Sequence, residues 1–370
     1  MQLVVFVLQT SDREDKTHFS EPSLEGSSKF KDVNMAGLSR ELGIDLGTLN
    51  TRIAEGKNIL IQEPTIVAIL LEELKIVEIG KSALDMLGRV PENIEVSRPM
   101  RYGVIAEYEI TENFLRELVR QVTGRMLLFR PKLMITIPYG VTSVERRAVY
   151  EAGIGAGSRE INLIQQPLAS ALGVDLPIGT PIGNMIICLG GGTTQAAVLA
   201  MHGIVSAETT RVAGLKMDDA IIDYVRKKYG LLIGQPTAEQ LKINIGAAIP
   251  QSDQKTMEIQ GQDQVSGLPR PATLTTDDIV EAMQDPLKDI ADTTRRVLEK
   301  TPPELISDII DRGVALCGGS ALLRGIDRYL TKSLGIPAFL VDNPTTCAVE
   351  GAAMAFSMLE ILSRNLPPRI

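Results

Sequence analysis

The stretch Ile186–Ala200, I-I-C-L-G-G-G-T-T-Q-A-A-V-L-A, leaves its backbone few options. Two apolar, β-rich runs flank Gly190, Gly191, Gly192, Thr193 and Thr194, which predicts a tight strand–turn–strand. Glycine admits backbone conformations closed to other residues and lets a ligand approach closely. Successive turn N–H groups with threonine hydroxyls make a concave anion site suited to phosphates. A second copy lies about 145 positions earlier, in Gly43–Ala54, G-I-D-L-G-T-L-N-T-R-I-A. It aligns Asp45-Leu46-Gly47-Thr48 with Cys188-Leu189-Gly190-Gly191. The repeat predicts two similar domains facing each other, each offering one phosphate hairpin; the competing reading is two unrelated glycine-rich hairpins. The copies differ where the first has Asp45 and the second Cys188.

A chain of 370 residues is too long for one ordinary core and predicts two or more domains. With 44% hydrophobic and 23% charged residues it has the balance of a soluble globular protein. A net charge of −8 without a long basic tract argues against nucleic acid as a partner. Three scattered cysteines, Cys188, Cys317 and Cys347, form no disulfide framework and fit a reducing compartment, the cytoplasm. Only His18 and His202 occur, which disfavours zinc sites and Ser-His-Asp chemistry. No apolar run is long enough to span a bilayer.

Taken in order, residues 1–40 read as a separate, polar and largely disordered extension. Its apolar start, Met1–Leu8, leaves open a weak membrane contact, an extra strand, or coding upstream of a start at Met35. Strands and helices then alternate. Thr111 is expected to cap an amphipathic helix through Val122, Ser143–Ala156 to be helical, and Pro167–Gly173 to continue as helix after Gln165-Gln166. In the second half, strands at Met185–Leu189 and Gln195–Ala200 precede a helix around Met217–Lys228. Thr237–Ile245 reads as helix, Gln251–Leu274 as a small β-rich or irregular excursion, and Thr276–Glu299 as one long helix. Thr301 is expected to cap a helix that accepts Pro302 and Pro303 in its first turn. Helices are expected again at Leu322–Leu334 and Ala348–Asn365. This alternation in two halves predicts a two-lobed α/β protein around a central cleft.

These residues resemble the bacterial actin family, and most closely its MreB-type cell-shape proteins. The resemblance rests on G-I-D-L-G-T-x-N-T (43–51), Q-E-P-T-I-V-A-I (62–69), R-P-M-R-Y-G-V-I-A-E-Y (98–108), P-x-G-V-T-S-V-E-R-R-A (138–148, with Tyr139 open), K-T-P-P-E-L-I-S-D-I-I-D-R-G (300–313) and L-L-R-G (322–325). It implies the fold shared by actin, heat-shock chaperones and sugar kinases, four subdomains around an adenine-nucleotide cleft. Subdomain IA would comprise 41–69, 99–180 and 349–370; IB 70–98; IIA 181–215 and 276–348; and IIB 216–275. It also implies ATP or ADP with Mg2+ as cofactor, and assembly into filaments on the inner face of the cell membrane. Asp45 would hold magnesium through water. Gly47, Thr48, Asn50, Gly190, Gly191, Gly192, Thr193 and Gly214 would surround the phosphates. Glu239 and Lys242 would approach from subdomain IIB, and Gly318, Gly319 and Ser320 would pass close to the adenosine.

The chain departs from the family at the chemistry. Similar proteins have aspartate at Cys188, Glu-Glu-Pro at Gln165-Gln166-Pro167, glutamate at Gln195, Asp-Glu at Leu215-Lys216, and three glycines around Cys317-Gly318-Gly319-Ser320. A thiol is a poor ligand for a hard cation that prefers oxygen, and its loss of one charge-assisted contact costs about 1.5–3 kcal/mol. Gln166 cannot take a proton, help worth about 10²–10⁴ in rate. Eukaryotic actins, similar in fold, have glutamine at that place and use it to orient water, so Gln166 by itself implies slow hydrolysis. Together the changes point to a weak or inactive ATPase that still binds nucleotide.

Gly124–Arg130, G-R-M-L-L-F-R, sets an apolar cluster between basic residues. The corresponding loop of similar proteins enters the bilayer, here through Leu128 and Phe129; the competing reading is a core-packed loop. Two inserted side chains at about 1.5–3 kcal/mol each give only about millimolar attachment, so useful binding needs many loops on one filament. The expected function is therefore a membrane-associated filament protein with impaired turnover that co-assembles with, or modulates, an active relative. The alternatives are a phosphotransferase or chaperone-type ATPase of the same fold, whose large inserted domains have no obvious counterpart beyond 70–98 and 216–275, or a nucleotide-free structural paralogue.

Overall fold

Two five-stranded sheets with the same strand order dominate the computed structural model, which describes residues 39–73, 75–124 and 130–368. In the first, Glu41–Leu46, Asn50–Glu55 and Asn58–Pro64 form an antiparallel meander. Lys132–Ile137 pairs parallel on the free side of Glu41–Leu46, and Glu160–Gln165 pairs parallel outside it. The second sheet repeats this. Asn184–Leu189, Thr194–Ala200 and Gly203–Thr210 form the meander, and Val314–Cys317 then Ala338–Leu340 add in parallel. The repeat expected from two hairpins thus extends to two whole sheets. Asn184–Leu189, N-M-I-I-C-L, is buried along its length, as a strand covered on both faces must be.

Two smaller sheets flank these. Val67–Leu70 lies between Lys75–Ile79 and Ile94–Ser97. The stretch expected to be β-rich within 251–274 is a hairpin of Thr256–Asp263 and Pro269–Thr275, with Leu231–Leu232 on its edge.

The central sheets meet through helices Gln166–Gly173 and Cys347–Met354, which are rich in small residues. A Cβ at Gly351 would lie 1.7 Å from the Ala169 carbonyl oxygen, and one at Gly173 would lie 1.9 Å from that of Cys347. Only glycine permits so close a crossing. One buried cluster joins Met134 and Ile164 of the first sheet to Ile186, Ala197 and Ala315 of the second through Leu168, Leu172 and Ala352. At about 1.5–3 kcal/mol per fully buried Leu or Ile side chain, this shared core ties the halves together.

Several boundaries differ from expectation. Thr111 lies inside helix Tyr108–Thr123, which starts after the extended Glu107, and its hydroxyl donates to the Glu107 carbonyl at 2.7 Å. Thr301 similarly donates to Val297 O at 2.7 Å, and Pro302 precedes helix Pro303–Arg312. The long helix expected over 276–299 is two, Thr276–Ala282 and Gln284–Glu299, joined at Met283. Pro286 lacks the N–H that a continuous helix would bond to Ala282, so the break falls one turn before it. The stretch 322–334 divides into a 3-10 turn, Gly319–Leu322, and helix Ile326–Leu334, separated by Gly325 at φ 73°. Helix Ser143–Gly155 begins with a reciprocal cap, Thr142 with Glu145, and agrees with expectation. The extension 1–38 and the membrane-loop residues Leu128 and Phe129 lie outside the described residues. Among the described residues no helix is long and apolar enough to cross a membrane.

Candidate functional site

The meander registers set the two hairpins in matching geometry. Asp45 pairs with Arg52 and Leu46 with Thr51, leaving residues 47–50 as the turn. Cys188 pairs with Gln195 and Leu189 with Thr194, leaving 190–193. The turns face and touch each other. A Cβ on Gly192 would lie 2.3 Å from Thr48 Oγ1, and one on Gly191 would lie 2.5 Å from Leu49 Cδ1. Gly103 N donates to Thr48 Oγ1 at 2.8 Å and fixes that hydroxyl.

A cavity of about 380 Å³ lies between the hairpins. It brings together Asp45, Gly47, Thr48, Asn50, Gln166, Gly190, Gly191, Gly192, Thr193, Gly214, Glu239, Lys242, Gly318, Gly319 and Ser320. All the cleft residues expected from sequence therefore share one space. Arg52, Thr136, Ser170 and Cys188 also line it, and Ile243, Leu322 and Leu323 add apolar surface beside Lys242 and the Gly318–Ser320 turn.

On the floor, buried Asp45 is fully engaged. Its Oδ1 accepts from Thr136 Oγ1 at 2.7 Å and from Gln166 Nε2 at 3.2 Å, while Oδ2 lies 3.9 Å from Arg52 Nη1. The Gln166 carbonyl oxygen accepts from Gln195 Nε2, and Gln195 Oε1 accepts from Tyr139 N at 2.8 Å. This row crosses from the first sheet to the second and back. It fixes the Gln166 amide with its nitrogen toward Asp45.

The position of the second hairpin that matches Asp45 is neutral and packed. The Cys188 thiol donates to Ser170 Oγ at 3.4 Å and accepts from Cys317 Sγ at 3.4 Å. The Cys317 thiol is pushed well above its ordinary range by its sulfur neighbours Cys188 and Cys347 and by burial, so it stays protonated. Three cysteines far apart in sequence thus converge under the cavity as small apolar groups.

The wall on the second half carries the charge. Lys242 Nζ lies 2.7 Å from Asp218 Oδ1 and donates to Gly214 O at 3.0 Å. Burial raises the Asp218 carboxyl to about 6; Lys242 opposes this, and Glu239 and Asp219 add to it. Arg98 faces Glu239 and Asp218; burial lowers its pKa against their pull, and its Nη1 has no hydrogen-bond partner among the described residues. Ser320 Oγ donates to Gly190 O at 2.7 Å, binding the turn at 318–320 to the second hairpin. Gly318 at φ 90° has no room for a side chain, since a Cβ would lie 2.2 Å from Leu189 O.

Arg52, Thr136 and Asp218 were not expected. Arg52 is legible once the hairpin register is fixed, because a four-residue turn puts it directly opposite Asp45. Thr136 is the polar residue inside the apolar run L-M-I-T-I. Asp218 has no sequence signal apart from its neighbour Asp219, since only the helix face separates them.

The donor set does not fit a magnesium site of ordinary strength. Magnesium takes oxygen ligands in near-octahedral array and keeps several waters. Here one carboxylate is already held by two donors and a guanidinium, and a thiol stands at the matching place. Among the described residues no group of three or more His, Cys, Asp or Glu side chains is arranged to hold a metal ion.

Two like sheets whose first hairpins face each other across a cavity define the actin-like ATPase fold. The crystal structure of MreB5 of Spiroplasma citri bound to ADP superposes with a TM-score of 0.82 at 31% identity, covering 88% of this chain and 98% of that one. MreB5 of the same organism bound to AMPPNP gives a TM-score of 0.80 at 32% identity, with coverage of 88% and 98%. The cell shape-determining protein MreB of Escherichia coli (strain K12) is 42% identical over 334 residues, 89% of this chain and 96% of that protein. The family described as MreB/Mbl protein matches residues 39–364. The chain belongs to the MreB/Mbl family.

Proposed function

We propose that this chain is a filament-forming protein of bacterial cell shape or intracellular organisation that binds adenine nucleotide and hydrolyses ATP slowly or not at all. The observation that carries the nucleotide reading is the contact between the two turns, Gly192 against Thr48, at the head of one cavity. Backbone N–H groups of Gly47, Thr48, Gly191, Gly192 and Thr193 supply anion donors from both sides. Asn50, Gly190 and Gly214 complete the phosphate end, with Glu239 and Lys242 on the IIB side. Gly318, Gly319 and Ser320 give the adenosine a close backbone wall, and Ile243 and Leu322 give it apolar surface. The MreB5 relatives bound to ADP and AMPPNP support this reading.

Weak turnover follows from the floor. The Gln166 amide, held between Asp45 and Gln195, orients a water but cannot accept its proton. Asp45, the one carboxylate of the floor among the described residues, is already held by Thr136, Gln166 and Arg52, which leaves the floor little with which to hold a magnesium ion. Filament assembly and attachment to the inner membrane face through Leu128 and Phe129 extend the family reading, with a catalytically active relative as a co-assembling partner. The subdomain division over 41–370 belongs to the same reading.

Titration with a fluorescent ADP analogue tests the cleft, and sedimentation with negative-stain microscopy tests assembly. We expect saturable binding at a single site, and filaments at micromolar protein and low salt. A strictly monomeric protein, with and without ATP, overturns the assembly reading. Flotation with anionic vesicles, beside a Leu128→Ser, Phe129→Ser variant, tests attachment. Equal flotation of both proteins overturns it.

A further inference from the structure

We propose that Arg52 is the phosphate-binding cation of this cleft, so that nucleotide binding here does not depend on magnesium. The inference rests on the nucleotide reading of the cavity. Asp45 and Arg52 are direct cross-strand partners on one face of the first hairpin, and both line the cavity. The Arg52 side chain is only 11% exposed. Its Nε donates to Gln62 Oε1 at 3.2 Å, its Nη1 stops 3.9 Å from Asp45 Oδ2, and its Nη2 donates to no acceptor among the described residues. A half-buried guanidinium that lines the cavity therefore keeps an unused donor edge on the first hairpin.

The other basic residues of the cavity are committed. Lys242 is paired with Asp218 and bonded to Gly214 O. Arg324 donates to Gly246 O at 3.2 Å and to Ile245 O at 3.1 Å, and lies 3.5 Å from Asp253. Guanidinium is permanently charged, and its planar fork matches phosphate oxygens two at a time. The floor that lacks a second carboxylate for a cation thus holds a cation of its own. Arg52 neutralises Asp45 when the cleft is empty and meets the nucleotide di- or triphosphate when it is filled.

The test is titration of the full chain with fluorescent ADP and ATP analogues, in millimolar magnesium and in excess EDTA. Wild type is expected to change affinity less than about threefold between the two conditions. Arg52→Gln is expected to weaken binding about 10- to 100-fold in both, with partial recovery in Arg52→Lys. Adding Cys188→Asp to Arg52→Gln is expected to make binding magnesium-dependent by about tenfold or more. A loss of about tenfold or more when EDTA is added to wild type overturns the proposal and leaves nucleotide binding standing. Equal affinity of Arg52→Gln and wild type overturns it as well. No binding by any form in either condition overturns the nucleotide reading together with it. If Arg52→Gln fails to fold by circular dichroism, the EDTA comparison on wild type decides alone.

Discussion

The first hairpin sets Asp45 opposite Arg52; the second, with the same register and turn length, sets Cys188 opposite Gln195. One floor is charged and the other neutral, although the backbones match strand for strand. Turn glycines and apolar strands fix the backbone, and they survive in both copies. The side chains that would act on a ligand answer to different constraints, so one architecture holds two chemistries. The sharpest way to break this comparison is to make the second floor acidic. In Cys188→Asp, Gln166→Glu we expect phosphate release from magnesium-ATP to rise about 10²–10⁴-fold over wild type. An unchanged rate would show that the neutral floor is not what limits turnover.

The halves differ again beneath their hairpins. Two residues before Asp45 stands Gly43, where a Cβ would lie 2.3 Å from Ala353 N and 2.6 Å from Val349 O. Two residues before Cys188 stands Ile186, a buried side chain of the shared core. The first strand therefore meets helix Cys347–Met354 backbone to backbone, and the second fills its space with a side chain. Gly43→Ala must displace backbone, and overpacking of this kind costs about 1–3 kcal/mol or more. Ile186→Val removes one methylene and costs about 0.5–1.5 kcal/mol. Urea unfolding of both variants measures the asymmetry, and equal losses would remove it.

Sequence exposed the hairpins because glycine and β-rich runs mark them directly. It did not expose the third strand of the second meander, Gly203–Thr210. That strand follows a turn at Met201 and His202, with φ 49° and 60°, where neither residue is Gly, Asn or Asp. Tertiary bonds hold the turn instead: Met201 N to Thr180 O, His202 N to Ile178 O, and Asn365 Nδ2 to His202 O. Thr111 and Thr301 failed as caps for a related reason. A threonine before an apolar face looks the same whether it caps a helix or bonds back to a carbonyl four residues earlier. In the cleft, sequence reached the residues that motifs mark. Arg52, Thr136 and Asp218 depend on register and helix face, which single-residue patterns do not carry.

The two halves also place their ion pairs differently. The first keeps Asp45 and Arg52 on the floor, whereas the second carries Asp218 with Lys242 in the wall. Burial raises Asp218 to about 6, against an ordinary 3.8, so folding favours its protonated form. Its contribution to stability is complete below about pH 4 and is lost as pH rises through 6, a change of about 3 kcal/mol. Asp218→Asn should flatten that part of the profile. Unfolding midpoints at several pH values across this window check it, and parallel curves for the two proteins would refute it.

The smallest effect concerns how the halves are tied. In the first hairpin Arg52 bonds Gln62 within its own sheet, but Gln195 reaches out of its sheet to Gln166 and to Tyr139 N. Thr209 Oγ1 donates to the Tyr139 carbonyl at 2.8 Å, so the second half holds both polar groups of that residue's backbone. Gln195→Ala leaves the Tyr139 N–H and the Gln166 carbonyl oxygen without partners. A buried group left unpaired costs about 1–3 kcal/mol, and partial access of cleft water brings the expected loss to about 1 kcal/mol. Gln195→Glu keeps the acceptor for Tyr139 N but buries a carboxylate against the Gln166 side-chain oxygen, so it should cost more stability overall while keeping the tie at Tyr139. Hydrogen exchange at the Tyr139 amide reads this tie directly. It should speed up in Gln195→Ala, stay near wild type in Gln195→Glu, and not respond to Arg52→Gln. If Arg52→Gln speeds it equally, the first hairpin shares in the tie and the contrast between the two is lost at this point.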